Sequence, residues 1–198
     1  NSEFHLHSYS HNINEPDSSR EIEKGLEAFT KFFGLEPEGY RAPCGLISKN
    51  GMLRLKKYGF IFDSSIFPTW YPNPFKYLGK PNQPYIDQAS KLLEIPFTTF
   101  GPIKLVLSAS YLKLFGFNTY NIYSKAFDLP KIICFDSHLH DYISPQSTFN
   151  ELSFFWKMIF SRNRNSGLDF SNELLDLLES KDYRFCKMSE VVDNYKQG

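Results

Sequence analysis

The stretch YRAPCGLISKNGMLRLKKYGFIFDSS, residues 40–65, predicts a strand, a turn, a helix and a second strand in quick succession. In the helical part, Leu53 and Leu55 are apolar, basic residues fill the last turn, and Gly59 provides the stop. The apolar run FIF that follows is typical of a buried strand, and it ends at Asp63. Strands that alternate with helices favour an α/β fold with a mostly parallel sheet.

Upstream of this stretch, a helix is predicted from Ser18 to Gly34. Its apolar stripe at helical spacing consists of Ile22, Leu26, Phe29 and Phe33. Ser18 and Glu21 form a capping-box pattern at its start, and Gly34 is a typical C-terminal stop. The pattern therefore defines both ends of this helix.

The remaining segments are predicted from composition and length. Residues 91–100 and 131–142 are short and β-rich, so each is predicted to be a strand. Residues 171–192 predict a helix, a strand and a final helical turn. The polar residues 160–173 are expected to link two helices, and the proline-rich residues 68–90 to form a loop over the active face.

Bulk composition limits the class of protein. With 198 residues, residues 1–198 are expected to form a single domain. Lys plus Arg equals Asp plus Glu at 22 each, so there is no basic field to hold nucleic acid. Aromatic residues make up 17% and supply core volume and rings on which sugars can lie. No apolar run reaches the ~20 residues of a membrane-spanning helix, and no protein partner is indicated.

Cysteine usage bears on the compartment. The three cysteines, Cys44, Cys134 and Cys186, are odd in number and widely spaced, so neither a disulfide framework nor a metal knuckle is indicated. This favours a reducing compartment such as the cytoplasm. A chain that starts at Asn1 leaves any leader unseen, so the localisation stays open.

Three histidines fall within seven residues near the start of the chain, at His5, His7 and His11. A spacing of four can bring the imidazoles of His7 and His11 to one side of a turn, where both can reach one Zn²⁺. Such a pair is also common on ordinary surfaces. On spacing alone, both interpretations stay open.

Arg41 and Cys44 belong to the turn RAPCG, in which Pro43 and Gly45 restrict the backbone. An arginine held in this way can orient a carboxylate, and the backbone N–H of Cys44 can face a ligand. A solvated arginine in an ordinary turn is the alternative. No His or acid is near Cys44 in sequence, so its thiol is not predicted to be a nucleophile.

Two further positions carry titratable groups at expected strand ends. Asp63 is either a cap for the next turn or a site residue. In SHLHDY, residues 137–142, His138 and His140 are expected on one side of a strand and Leu139 on the other. A histidine there can serve as a general acid near neutral pH.

In this order the segments resemble the motifs of the polysaccharide deacetylase family, the NodB-homology domain of carbohydrate esterase family four. The motif H-[ST]-x-x-H is matched by HSYSH, and R-x-P-x-G by RAPCG. A strand that ends in Asp is matched by FIFDSS, and the last Leu-His motif by LHDY. The resemblance runs from residue 1 to about residue 192. It implies a distorted (β/α)7-type barrel of the glycoside hydrolase/deacetylase kind.

The resemblance implies an enzyme that hydrolyses a non-peptide carbon–nitrogen bond, removing N-acetyl groups from a polysaccharide or amino sugar. The implied cofactor is a divalent metal, usually Zn²⁺, with His7 and His11 as ligands. Arg41 would hold the catalytic base, and the backbone N–H of Cys44 would help to bind the oxyanion. Tyr9, between the two histidines, is placed among the substrate-binding residues.

The same resemblance assigns roles to the later motifs. Leu139 would line the pocket for the acetyl methyl group, and His140 would be the general acid that protonates the leaving amine. Asp63 most resembles the acid that tunes this histidine. The expected partner is a carbohydrate with N-acetylated amino sugars.

One family motif is not found. The T-F-D-D motif, which supplies the general base and a third metal ligand, lies upstream of H-[ST]-x-x-H in the family, and only NSEFHL precedes His7 here. The barrel is therefore expected to lack its first strand, and the chain as given is expected to be a poor catalyst. Substitution by His5 is not expected to restore a base.

Two alternatives remain. A catalytically dead carbohydrate-binding relic of the same fold would keep the aromatic groove without the base. The opening HLHS also resembles the H-x-H-[ST] start of metal-dependent phosphoesterases of the polymerase and histidinol phosphatase type. That interpretation leaves RAPCG and LHDY unexplained.

Overall fold

The computed structural model describes residues 2–70, 77–143 and 161–196, with Asn150, Phe154 and Lys157. The chain divides into two compact units. Unit 1 comprises Asn1–Phe97 with Cys186–Gly198, and unit 2 comprises Thr98–Phe185. Each unit is described by itself, and the single-domain organisation expected from chain length stays a prediction.

Unit 1 contains three helices among its described residues: α1 (Ser19–Phe33), α2 (Lys49–Lys57) and α7 (Met188–Lys196). The hydroxyl oxygen of Ser18 accepts the Glu21 N–H at the start of α1, and Gly34 ends the helix in the left-handed conformation at φ 70°. The predicted helix ends are thus confirmed. A short 3₁₀ turn, Pro43–Gly45, precedes α2.

The sheet of unit 1 has four strands, and their order is β1-β2-β4-β3. Their bounds are β1 (Gly39–Tyr40), β2 (Phe62–Asp63), β3 (Tyr85–Ile86) and β4 (Leu93–Glu94). The first three in that order run parallel, and β3 joins the edge antiparallel. Leu6 adds an isolated parallel bridge to Tyr40. The mixture of helices and parallel strands confirms an α/β fold.

The core of unit 1 lies between this sheet and the helices. Its buried side chains include Leu6, Ile22, Tyr40, Leu55, Phe60 and Ile66. The burial of each such side chain stabilises the folded state by about 1.5–3 kcal/mol. This burial supports strands that are only two residues long. Phe62 leaves no room beside it, because a Cβ added at Gly39 would lie 2.1 Å from its ring.

Two strands and four helices of unit 2 have both of their ends in the described part of the chain. Strands β5 (Thr99–Phe100) and β6 (Leu105–Val106) form an antiparallel pair. The helices are α3 (Ala109–Phe115), α4 (Phe117–Ala126), α5 (Leu139–Tyr142) and α6 (Gly167–Glu179). The core of the unit includes Phe100, Leu107, Leu112, Tyr120 and Leu174.

Several predicted segments differ from the structure. Residues 91–100 form two strands of different sheets, since Pro96 between them has no N–H for a ladder. Residues 131–142 form no continuous strand: Asp136 makes one isolated bridge, and α5 follows. The described backbone at 183–187 is not a strand. The polar segment 160–173 contains the first turns of α6.

The structure describes only part of the proline-rich segment 68–90. It contains β3, and residues 71–76 lie outside the described residues.

No sheet closes on itself within the described part of the chain, so a barrel is not confirmed. The helices of that part include none long and apolar enough to span a membrane. Cys44, Cys134 and Cys186 form no disulfide with one another.

Candidate functional site

The HSYSH segment forms a tight loop that brings His7 and His11 together. Their ring centroids are 5.0 Å apart with an interplanar angle of 72°, and both residues are exposed. Ser8 and His11 adopt positive φ values of 64° and 56°, a conformation that costs non-glycine residues free energy. Strained backbone of this kind is often found at functional sites. The pairing that the spacing predicted is therefore present.

A hydrogen bond joins the first histidine to the second motif. The Nδ1 atom of His7 lies 2.7 Å from the carbonyl oxygen of Arg41. Because a carbonyl can only accept, Nδ1 carries a ring proton, and Nε2 is the His7 nitrogen whose lone pair is of the kind that binds a metal. Histidine ligands of metals usually carry such a bond on their other nitrogen.

The loop between the histidines is held by a buried carboxylate, that of Glu21 on α1. It accepts hydrogen bonds from the Ser8 hydroxyl at 2.5 Å, the Tyr9 N–H at 3.2 Å, and the Ser10 N–H and hydroxyl at 2.8 Å each. The Ser8 hydrogen bond, helped by the Ser10 and Tyr9 donors and opposed by burial, lowers the pKa of Glu21 to about 2. Tyr9 itself is exposed.

Sequence reasoning missed this role of Glu21. It placed the carboxylate in a capping box with Ser18, but only half of that box forms, since the Ser18 hydroxyl accepts the Glu21 N–H at 3.3 Å. The carboxylate itself turns to the HSYSH loop. The signal in the sequence was the pair of serines on either side of Tyr9, whose hydroxyl groups can donate hydrogen bonds. This pattern does not identify Glu21 as the acceptor.

The guanidinium of Arg41 is fixed on the neighbouring strand. Its Nε donates to the Ser64 carbonyl oxygen at 3.0 Å, and its Nη2 donates to the Ser64 hydroxyl at 2.9 Å. The group lies over the ring of Phe97, 4.2 Å from its centroid. Arg41 therefore connects β1 to the end of β2 instead of extending into solvent. Its role in holding a catalytic base stays a prediction.

Cys44 lies in the middle of the 3₁₀ turn, exposed, with φ 53° and ψ 20°. The Gly45 N–H donates to the Ala42 carbonyl oxygen at 3.0 Å and closes the turn. A non-glycine residue in the left-handed conformation is strained. The oxyanion role of the Cys44 N–H stays a prediction.

Asp63 is not at the surface. It has no exposed area, and it lies in register with Glu94 on the neighbouring parallel strand, which is equally buried. The Ser65 hydroxyl donates to Asp63 Oδ1 at 2.7 Å, and the Ile66 N–H donates to Glu94 Oε1 at 2.9 Å. Burial raises the pKa of Asp63 to about 6, against hydrogen bonds to Glu94 and Ser65 that lower it.

The two carboxyl groups are therefore a proton-sharing pair in the core of unit 1. The sequence did not point to Glu94, because the pairing depends on strand order. The suggestion that Asp63 tunes His140 stays a prediction, and the group that Asp63 does contact is Glu94.

The residues of unit 1 fit a divalent metal only in part. His7 and His11 present ring nitrogens of the right chemistry, but among the described residues no third His, Cys, Asp or Glu joins them. His5 packs edge-on against Phe62, with ring centroids 4.9 Å apart, and its Nε2 lies 3.6 Å from a Glu3 carboxylate oxygen. That His5 does not substitute for a site residue stays a prediction.

A second group of titratable side chains lies in unit 2. His138 and His140 precede and begin α5, with ring planes 14° apart and centroids 5.1 Å apart, and Asp141 is fully buried beside them. The rings thus lie side by side as predicted, but a helical turn and not a strand places them. Burial lowers the pKa of His140, and the neighbouring Asp141 opposes this. Leu139 is 74% exposed.

The roles that the resemblance gives to His140 as general acid and to Leu139 as a pocket wall stay predictions. Sequence reasoning missed Asp141, although it is adjacent to His140. The signal was the HLHD pattern, in which an acidic residue directly follows two alternating histidines.

Comparisons with known proteins include a partial likeness to a solved structure. No family model matches the chain, and no curated protein matches it. A solved structure described as a "putative polysaccharide deacetylase" from Mycobacterium smegmatis is 23% identical to the matched part, with a TM-score of 0.38. The match covers 48% of this chain and 32% of that protein, so the chain spans about a third of its length. A likeness at this TM-score supports no assignment of function.

Proposed function

We propose that the chain belongs to a metal-dependent hydrolase that removes N-acetyl groups from a polysaccharide or amino-sugar substrate. The observation that carries the proposal is the hydrogen bond from His7 Nδ1 to the Arg41 carbonyl oxygen. It joins the two most specific motifs, HSYSH and RAPCG, through a bond that orients a histidine for metal binding. The distorted barrel that the resemblance implies is part of the same proposal.

The metal ligands in unit 1 would be Nε2 of His7 and a ring nitrogen of His11. When bound, a divalent metal such as Zn²⁺ supplies Lewis acidity for the acetamide carbonyl and lowers the pKa of water. The Glu21 carboxylate keeps the loop between the ligands in place through four hydrogen bonds. This preorganisation matters because ligands held in advance lose little conformational freedom on binding.

The turn of RAPCG would support the reaction beside the histidines. The backbone N–H of Cys44 would donate to the oxyanion that develops on the acetamide oxygen. Arg41, fixed by Ser64, would orient a carboxylate base. Its guanidinium is preorganised by two hydrogen bonds and by the ring of Phe97. The resemblance assigns the general acid to His140, and this assignment is part of the proposal.

The incomplete ligand set has a direct consequence for activity. Two histidines alone bind Zn²⁺ more weakly than the three protein ligands of ordinary catalytic sites. Among the described residues no third ligand joins them. We therefore propose that the 198-residue chain by itself is inactive or nearly so.

That same finding favours a second candidate, a catalytically dead carbohydrate-binding relic. The exposed ring of Tyr9, 54% accessible, offers a surface for a sugar face. Such a protein would bind N-acetylglucosamine oligomers without hydrolysing them, and it would not need a metal to do so.

The test is acetate release from N-acetylglucosamine oligomers over a titration with Zn²⁺ or Co²⁺, with the chain and with a form extended upstream. The proposal expects activity in the extended form that falls at least about 100-fold in His7→Ala and in His11→Ala, because each removes a metal ligand. His5→Ala is the matched control and should keep activity. Oligomer binding without acetate release in any form, unchanged by chelation, would favour the relic.

A further inference from the structure

We propose that unit 2 contains a transition-metal site of its own, formed by His138, His140 and Asp141, with Asp136 beside it. Its ligands do not include His7 or His11, and the proposal goes beyond the proposed deacetylase function. It would take Zn²⁺, Co²⁺, Ni²⁺ or Cu²⁺, because two imidazoles and a carboxylate suit these ions better than Mg²⁺ or Ca²⁺.

The geometry of the three residues supports this proposal. One ligand atom from each lies within 4.8 Å of the others, and in the described part of the chain this is the only His, Cys, Asp or Glu group of three or more that meets this condition. His138 Nδ1 and His140 Nε2 lie 3.9 and 4.0 Å from the Asp141 carboxylate oxygens. Metal bonds of about 2.0–2.2 Å place tetrahedral ligands roughly 3.4 Å apart. The exposed histidine rings can close this gap by rotating.

Asp141 is the fixed member of the group. It has no exposed area, and its Oδ1 accepts the Ser110 hydroxyl at 2.6 Å while its Oδ2 accepts the His138 N–H at 2.9 Å. Each carboxylate oxygen has a second lone pair that these bonds do not use. Hydrogen bonds of this kind around a ligating carboxylate are typical of metal sites, where they hold the ligand in position.

The remaining neighbours define what kind of site it is. Asp136 places a carboxylate oxygen 3.7 Å from His138 Nδ1, next to the three-residue group but not part of it. The side chains of His138 and His140 are 53% and 52% exposed, which leaves the outer side open to water. Lys113 donates to the His140 carbonyl oxygen at 3.5 Å, and its positive charge weakens the attraction for a cation. We therefore expect an exchangeable metal.

Occupancy would change what His140 can do. An imidazole that binds a metal through Nε2 has no proton there to give to a leaving amine. His140 can thus be a ligand or a general acid at any moment, but not both. Metal binding at this cluster does not depend on whether the chain is a deacetylase.

The experiment uses the whole chain with His7→Ala and His11→Ala, which removes the pair in unit 1. Equilibrium dialysis against Co²⁺ alone measures stoichiometry, and the Co²⁺ absorption bands report the ligand field. We expect about one bound Co²⁺ per chain, weakened at least about 10-fold by His138→Ala or His140→Ala. Ser110→Ala, which frees the Asp141 carboxylate, should weaken binding as well. His5→Ala is the matched histidine control.

Each result decides the proposal. If the His7→Ala, His11→Ala chain binds no Co²⁺ while its thermal unfolding is normal, the cluster is only a cap for α5 and the proposal is overturned. Binding that survives both His138→Ala and His140→Ala overturns it as well. The reciprocal chain, with His138→Ala and His140→Ala, tests the His7 and His11 pair, so the two metal proposals can fail independently.

Discussion

The Nδ1 atom of His7 donates a hydrogen bond to the carbonyl oxygen of Arg41 at 2.7 Å, across 34 residues of sequence. The strand pairing of this region sets that distance, since the Leu6 N–H donates to the Gly39 carbonyl oxygen and the Arg41 N–H donates to the Leu6 carbonyl oxygen. The bond fixes the neutral tautomer of His7, with the proton on Nδ1 and the lone pair on Nε2. The two motifs are thus parts of one structure within unit 1.

Replacing Glu21 by Gln should loosen the HSYSH loop. A carboxylate accepts four hydrogen bonds from this loop, and an amide has only one oxygen to accept them. We expect a loss of about 2 kcal/mol in the free energy of unfolding, typical of hydrogen bonds to charged groups, and weaker metal binding. Urea denaturation and Co²⁺ titration measure these effects.

The pH dependence of this variant gives a sharper check. The pKa of Glu21 is lowered to about 2, so its contribution to stability is present above pH 4.5 and is lost as pH falls toward 2. Glu21→Gln should flatten the stability curve over that range. Glu27→Gln, on an exposed part of the same helix, is the control. Equal pH curves for wild type and Glu21→Gln would contradict this account of the loop.

The buried pair of Asp63 and Glu94 predicts the opposite pH dependence. Burial raises the pKa of Asp63 to about 6, so its contribution to stability is complete below its ordinary value near 3.8 and is lost as pH rises through 6. Asp63→Asn stays uncharged and can donate its amide N–H to Glu94. We expect this variant to be more stable than wild type above pH 6, by up to about 3 kcal/mol.

Thermal unfolding between pH 4 and pH 8 measures this difference. Ser65→Ala, which removes the hydroxyl that donates to Asp63 Oδ1, should instead destabilise the protein at every pH, because it leaves a buried oxygen without its donor. A lower stability of Asp63→Asn than of wild type at pH 8 would mean that the ionised Asp63 carboxylate stabilises the fold. That result would contradict the proposal that Asp63 and Glu94 share a proton.

Cys44→Gly should keep the function of the RAPCG turn. Glycine adopts the observed φ of 53° without strain and retains the backbone N–H. Relief of the backbone strain stabilises the folded state, whereas the greater freedom of glycine stabilises the unfolded chain. Because these effects roughly cancel, the free energy of unfolding should change by less than about 1 kcal/mol. In the extended form, acetate release should stay within about 3-fold of wild type. Complete loss of activity in a folded Cys44→Gly protein would show that the thiol takes part.

Local signals in the sequence predicted the elements that local interactions determine. The start of α1 at Ser18 and its end at Gly34 follow from side-chain capping and from glycine's freedom. Residues 131–142 look like a strand by composition. A single carboxylate, that of Asp141, accepts the His138 N–H and starts a helical turn instead.

The contacts that define the candidate site are mostly non-local, and composition cannot reveal them. Glu21 binds a loop 11–13 residues away, and Glu94 reaches Asp63 because of strand order. The HSYSH and RAPCG motifs were visible as patterns, but the bond that joins them depends on how Leu6 pairs with β1. Motifs therefore identified candidate residues, and only the fold showed which of them touch.

Metal binding by His7 and His11 is the most direct test of the proposed function. The measurement is Zn²⁺ stoichiometry by equilibrium dialysis in a chain with His138→Ala and His140→Ala, with and without His7→Ala or His11→Ala. We predict one bound Zn²⁺ per chain, weakened at least about 10-fold by either further substitution and unchanged by His5→Ala. Absence of Zn²⁺ binding in the folded parent chain and in its upstream-extended form, or binding indifferent to His7 and His11, would contradict the account.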